Sequence, residues 1–197
     1  MIQIIDCEQG TPEWFAARLG IPTASRFSDV LAKGQGITRR KYMMLLAGEI
    51  LTGEAQESYS NAHMERGKAL EDEARQTYGF LHDADMTQVG FILNDGIGYS
   101  PDALIGTNGL LEVKTKLPHL QIECLLSGEV PSEHTAQVQG GLMVAEREWL
   151  DFVSYWPGLP LFVKKVYRDE PYINRLGTEL ALFREELSAI VKRIRAM

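Results

Sequence analysis

Asp102, Glu112 and Lys114 stand close together near the middle of the chain, in SPDALIGTNGLLEVKTK at 100–116. Residues i and i+2 of a strand share a face, so Glu112 and Lys114 point one way while Leu111 and Val113 point the other. The turn signal Thr107-Asn108-Gly109 folds the preceding strand back alongside, which brings Asp102 toward Glu112. Two adjacent carboxylates repel and raise one another's pKa. A divalent cation between them removes that conflict. A small set of hard oxygen ligands suits Mg²⁺, or Mn²⁺ as a substitute, because such ions keep water and share their coordination with phosphate. A lysine beside them can orient or activate a water and stabilise charge developing on phosphorus. The chemistry is phosphodiester hydrolysis. By pattern alone, a Glu-x-Lys pair also fits the solvated face of an edge strand.

The elements around this stretch are legible from period and punctuation. Residues 11–19 read as a short helix with Thr11 as N-cap and Pro12 at its first position. A second helix starts at Thr23 or Ser25 and runs to about Lys33, with Gly34-Gln35-Gly36 as its stop. Residues 38–51 and 61–79 form two more. The period then changes to two: 87–94, 97–105, 109–116, 150–156 and 161–168 read as strands. Asp95-Gly96 and Thr107-Asn108-Gly109 make the first three a meander. Residues 132–147 are helical and form a crossover. Ile173, Leu176, Leu180, Phe183, Leu187, Ile190 and Ile194 give the last segment one apolar helical stripe. Gly177 within it costs about 1 kcal/mol relative to alanine. Helices followed by a mixed sheet with a crossover predict one α/β domain over 1–197.

Composition narrows the class. A length of 197 residues and a hydrophobic fraction of 45% suit one domain with a real core. No run is apolar for long enough to span a bilayer, and Met1–Asp6 lacks the pattern of a signal peptide. Cys7 and Cys124 are far apart and read as free thiols of a reducing cytoplasm. A net charge of −7 argues against a protein that coats nucleic acid with a broad basic surface, yet leaves room for a local basic groove.

Pro101-Asp102 and Glu112-Val113-Lys114 resemble the two signature pieces of the PD-(D/E)xK nuclease core. More specifically, RLGIPTAS at 18–25, GKALEDEAR at 67–75, SPD at 100–102 and AQVQ at 136–139 occur in the order found in the phage lambda exonuclease family, the YqaJ-type viral recombinases. The resemblance covers nearly the whole chain from Trp14. It implies a restriction-endonuclease-like α/β core, a mixed sheet flanked by helices. It implies that Asp102, Glu112, the Val113 carbonyl and Glu71 hold metal, that Lys114 acts on the attacking water, and that Gln137 is an active-site glutamine. Gln139 lies on another face of that helix. Arg18 and Ser25 match the pocket for a terminal 5′-phosphate, and an anion also suits a helix N-terminus at Thr23-Ala24-Ser25. Ser25 could equally be a plain N-cap. Met64 matches an apolar wedge at the strand junction; a methionine on a helix also fits a core.

Two positions depart from the family pattern. An arginine expected ten residues beyond Ser25 is Gln35, so Arg39, Arg40 or Lys41 would have to supply its charge. Arg66 precedes Gly67 where an aromatic is expected. The implied activity is Mg²⁺-dependent 5′→3′ digestion of linear duplex DNA to mononucleotides, leaving a 3′ tail for a single-strand annealing protein in a bacterial cytoplasm. The implied assembly is a homotrimeric ring, with Lys33, Arg39, Arg40 and Lys41 lining or approaching its channel. The alternatives are a PD-(D/E)xK nuclease of other polarity or substrate, and a non-catalytic module that binds DNA ends. Two cysteines cannot build a four-cysteine iron–sulfur site.

Overall fold

The computed structural model describes residues 1–32, 37–55 and 62–197, with the side chains of 62–66 and 68 outside the description. Lys33 and Gln35 lie outside the described residues, as does the Met64 side chain, so the expectations for them have no structural counterpart.

Gly109–Thr115 forms strand β6, the middle strand of a five-stranded sheet ordered β2 (Met86–Thr87), β5 (Ala103–Ile105), β6, β7 (Trp149–Tyr155) and β8 (Phe162–Tyr167). Only β6 and β7 run parallel, joined by the crossover that contains α5 (Pro118–Ser127) and α6 (Thr135–Ala145). A central strand is paired on both edges, which removes the solvated-edge reading of the Glu-x-Lys pair. One face of the sheet carries Leu104, Leu110, Leu150 and Phe152 into the larger core. The other carries Ala103, Ile105, Leu111, Val113 and Val153 against Ala74 and Tyr78 of α4 (Ala62–His82). The alternation of β6 therefore follows the period-two expectation.

The expected three-strand meander is two hairpins in two sheets. The segment 97–105 breaks at Ser100-Pro101-Asp102, where proline cannot donate to a ladder. Before the break, β4 (Ile97–Tyr99) pairs with β3 (Phe91–Asn94), which pairs with β1 (Gln3–Ile5) in a separate three-stranded sheet. After it, β5 pairs with β6. The β3–β4 turn is Asp95-Gly96, both with positive φ (46° and 70°), as a tight hairpin requires. The strand β1 and the helix α5 are additions to the elements read from the sequence. Pro118 opens α5, and Gly128, in the left-handed region, ends it.

The helix expected from Thr23 or Ser25 to Lys33 is much shorter. Ala24–Arg26 is a 3₁₀ turn and α2 covers only Phe27–Leu31, because Arg26 (ψ 9°) interrupts it and Ala32 (ψ 118°) leaves the helical region. Phe27 and Val30 bury its single apolar turn. Helices α1 (Pro12–Arg18), α3 (Ile37–Thr52) and α7 (Glu170–Arg195) otherwise follow expectation. The apolar stripe of α7 buries Ile173, Leu176, Leu180, Phe183 and Leu187, then shifts to Val191, leaving Ile194 46% exposed. Alternating steps of three and four average 3.5 residues, so the stripe drifts around a helix of 3.6. Asp169 caps α7 by accepting from Tyr172 N, and Lys192, Arg193 and Arg195 complement the dipole at its end.

Candidate active site

Glu112 is 2% exposed, and its carboxylate is held from three directions. The Tyr99 hydroxyl donates to Oε2 at 2.6 Å, the Gln137 amide donates to Oε1, and Lys114 Nζ lies 2.7 Å from Oε1. A charge buried this deeply is tolerated only when paired and hydrogen-bonded. Gln137 reaches it from α6, which also brings Gly141 against the Tyr99 ring; a Cβ there would sit 2.8 Å from that ring. The small residue lets the phenol lie close enough to serve Glu112. Gln139, on another face, is spent on structure: it donates to Tyr167 O at 3.0 Å and accepts from Asp169 N at 2.9 Å.

Asp102 stands opposite Glu112, since Ala103 pairs with Leu111 and Asp102 N donates to Leu111 O at 3.1 Å. Its Oδ2 accepts from Val113 N at 2.6 Å. Burial, then the negative charge of Glu112, pushes the Asp102 carboxyl up to about 8, against the pull of Lys114 and the Val113 N–H. Burial also raises Glu71, with Lys114 opposing and Glu112 reinforcing, so the α4 carboxylate lies in the same field. Burial pulls Lys114 down, but Glu112 and Asp102 outweigh it and the net shift is upward, which keeps an ammonium there. Burial and the Glu112 charge put Tyr99 well above the usual phenol range, so it stays a donor.

Glu71 and Asp102 line a cleft of about 490 Å³ together with Arg75, Gln88 and the Asp6–Gln9 loop. Gln9 fastens that loop by donating to Val89 O at 3.1 Å and Pro101 O at 2.8 Å. Among the described residues, no three His, Cys, Asp or Glu side chains gather into a cage for a metal. The donors are instead a partial oxygen set, with carboxylates held together against their repulsion. That fits an ion which keeps most of its water.

Arg18 lies over the Trp14 ring, 3.8 Å from its centroid. Trp14 is fixed by its indole N–H, which donates to Gly90 O at 3.0 Å and Ser100 Oγ at 2.9 Å. Burial lowers Arg18 from the usual arginine value, with Tyr42 and Glu49 opposing. Ser25 is exposed on the 3₁₀ turn, its Oγ 3.4 Å from Thr23 Oγ1, and makes no N-cap. Tyr42 accepts from Thr23 N at 3.0 Å and carries Arg26 over its ring at 4.6 Å. Arg26, next to Ser25, lies in this neighbourhood too, but its guanidinium is paired with Asp29. Arg39 is committed elsewhere: it grips Glu186 of α7 through two bonds of 2.7 and 2.9 Å. Arg40 and Lys41 are exposed beside Ile37, Met44 and Leu45.

Sequence reasoning missed Tyr99, Gln9, Trp14 and the pair Lys116–His134. His134, in the 3₁₀ turn Ser132–His134 before α6, has Nε2 2.9 Å from Lys116 Nζ. An ammonium can only donate, so Nε2 is the acceptor and Nδ1 carries the proton. Burial, then Lys116 and Lys114, lowers His134 to about 4. The stability from keeping it neutral is complete above the free-histidine pKa and is lost as pH falls from about 6.5 toward 4. A loss on the order of 2–3 kcal/mol is expected across that window. Urea titrations of wild type and His134→Gln at pH 7.5 and 4.5 check this: the variant should lose less stability than wild type on acidification.

Comparison with known proteins identifies the family and the fold. A family model, the YqaJ-like viral recombinase domain, matches residues 13–148. The alkaline exonuclease LHK-Exo of Laribacter hongkongensis superposes with a TM-score of 0.86 at 36% identity, over 94% of this chain and 97% of that one. A structure of LHK-Exo in complex with dAMP gives 0.87 at 38% identity over the same shares. A phage-related exonuclease from Haemophilus somnus 129PT shares the fold, with a TM-score of 0.67 at 12% identity over 88% and 96%. No curated protein sequence is a significant match. With the family model spanning more than half of its length, the chain belongs to the YqaJ-like viral recombinase domain family.

Proposed function

We propose that this chain is a Mg²⁺-dependent exonuclease that digests one strand of linear duplex DNA from the 5′ end. It releases mononucleotides and leaves a 3′ tail for a single-strand annealing protein, in the cytoplasm of a bacterial host. The observation that carries the reading is the convergence of Asp102, Glu112 and Lys114 on a central strand, with Gln137 and Tyr99 bonded to Glu112. The exonuclease activity of LHK-Exo and its complex with dAMP, a mononucleotide, support it.

Asp102, Glu112, Glu71 and the Val113 carbonyl would hold the metal, which would supply Lewis acidity toward the phosphate and lower the pKa of the attacking water. Lys114 presents an ammonium to the charge that develops on the phosphate oxygens. Gln137 and Tyr99 keep the Glu112 carboxylate aimed, and the Val113 N–H does the same for Asp102. Arg18 and Ser25 hold the terminal phosphate, with Arg40 or Lys41, both exposed on α3, supplying the charge missing at Gln35.

Digestion of linear duplexes carrying a 5′-phosphate or 5′-hydroxyl, labelled at either end, with Mg²⁺, Ca²⁺ or EDTA, tests the proposal. Mg²⁺-dependent release of mononucleotides from the 5′ end is the expected result. Release from the 3′ end would transfer the chain to another nuclease branch. Metal-independent binding with no release would leave an end-binding module.

The charge of −7 bears on assembly. A small acidic monomer makes few phosphate contacts and leaves DNA readily at physiological salt. A homotrimeric ring closed by head-to-tail contacts would keep it on the duplex. Light scattering at micromolar concentration should therefore give three times the chain mass. A monomer mass with distributive digestion would defeat the ring and leave the nuclease standing. Among the described residues, no helix is long and apolar enough to cross a membrane.

A further inference from the structure

Glu112, Lys114 and Lys116 alternate along β6 and its extension, so their side chains leave one face. Lys116 lies about 6–7 Å further along than Lys114. The two lysines are treated differently by their surroundings. Lys114 is paired to buried Glu112 at 2.7 Å. Lys116 has a side chain only 10% exposed, yet the carboxylate beside it, Glu133, is 64% exposed and 3.4 Å away. The Glu133 end of this long contact is open to solvent, which screens it, while the Lys116 end is nearly buried. The closer partner of Lys116 is the His134 ring at 2.9 Å, itself packed 5.3 Å from the Phe152 ring. An uncharged acceptor fixes the direction of an ammonium without neutralising it. Burial and the two lysines keep His134 in that uncharged form at neutral pH.

The result is a second positive charge, aimed by a rigid ring, one strand repeat beyond the lysine assigned to the reacting phosphate. Two ammonium groups on one strand face repel. A chain of phosphates relieves this. We infer that Lys116, anchored by His134, is the contact for the DNA backbone phosphate adjoining the scissile one. The inference rests on the proposed function and adds a substrate-positioning residue to it.

The test is binding of a labelled 5′-phosphorylated duplex, with Ca²⁺ replacing Mg²⁺ to suppress cleavage, over about 50–200 mM salt. Lys116→Met should weaken binding about 3–10-fold and lower the slope of log K against log salt by about 0.9, the signature of one lost phosphate contact. Lys116→Arg should restore the slope. In Mg²⁺, KM for DNA should rise while kcat at saturating DNA stays close to wild type. Lys116→Gln gives the same readouts should the methionine variant fold poorly. An unchanged slope with a reduced kcat would make Lys116 part of the chemistry, and an unchanged slope with only a lower melting temperature would make it structural. A change confined to inhibition by a free deoxynucleoside monophosphate would assign the charge to the departing product. Each of those results overturns the inference. Wild-type protein that neither binds nor cuts DNA would instead overturn the functional proposal.

Discussion

Replacing Lys114 with methionine should lower the rate of DNA cleavage by about a hundredfold to a thousandfold, the scale seen when a transition-state donor is removed. DNA affinity should change far less. The complication is that Lys114 is also half of a buried ion pair. Glu112 is 2% exposed and Lys114 is its nearest cation. Removing one partner of such a pair costs about 3–5 kcal/mol, because the other charge is left uncompensated. Lost activity in the single variant could therefore be lost fold.

A double-mutant cycle separates the two. Lys114→Met and Glu112→Gln should each lower the melting temperature. The double variant leaves neither partner of this pair orphaned, with Asp102 and Glu71 still in place, and should recover part of that stability. Activity should stay absent in all three. Glutamine at 112 still accepts from the Tyr99 hydroxyl, so the scaffold around Tyr99, Gln137 and Gly141 is retained. Recovery of cleavage along with stability would show that the pair is structural and that the chemistry lies elsewhere. Without metal, Asp102 opposes folding as pH rises: its pKa is raised, so the proton taken up in the folded state is lost toward pH 8.

The pair Glu112–Lys114 was readable from the sequence because it depends only on the two-residue period of one strand. Asp102 was readable for a related reason. The short turn at 107–109 fixes the β5–β6 register, and that register sets Asp102 across from Glu112. The break at Ser100-Pro101-Asp102 was not foreseen. Period tells which face a residue takes, but not which sheet its strand joins. Tyr99 was missed for the same reason: it ends a strand of one sheet and serves a carboxylate of the other. His134 and Lys116 are 18 residues apart, and Arg39 and Glu186 are 147 apart. No local pattern connects either pair. Arg39, expected near a DNA channel, ties α3 to α7 because the tertiary fold brings Glu186 to it. Glu71 was legible only through family resemblance, since nothing in the spacing of a helix says that its carboxylate reaches a distant strand.

Arg18→Ala should reduce kcat/KM on 5′-phosphorylated duplex by about 10–100-fold, the range for a lost charge-assisted contact, and leave 5′-hydroxyl duplex much less affected. The arginine is well prepared for one terminal phosphate. Its guanidinium is stacked on Trp14, which limits its freedom before the ligand arrives. Tyr42 and Glu49 oppose the effect of burial on its charge. Lysine at this position keeps the charge but loses the flat, two-pronged geometry and the stacking, so Arg18→Lys should recover only part of the preference. The stacking partner also connects the pocket to the chemistry. Trp14 donates to Ser100, two residues before Asp102, and to the Gly90 carbonyl. Trp14→Phe keeps a ring beneath Arg18 and removes both bonds. It should slow hydrolysis of both substrates together, because it loosens the loop that carries Asp102. Steady-state rates on matched phosphorylated and hydroxyl duplexes distinguish the outcomes. Loss confined to phosphorylated ends for Arg18→Ala, with parallel loss for Trp14→Phe, fits a phosphate grip mounted on a catalytic loop. Parallel loss for both variants would reduce Arg18 to packing on Trp14 and leave the terminal phosphate without its principal contact.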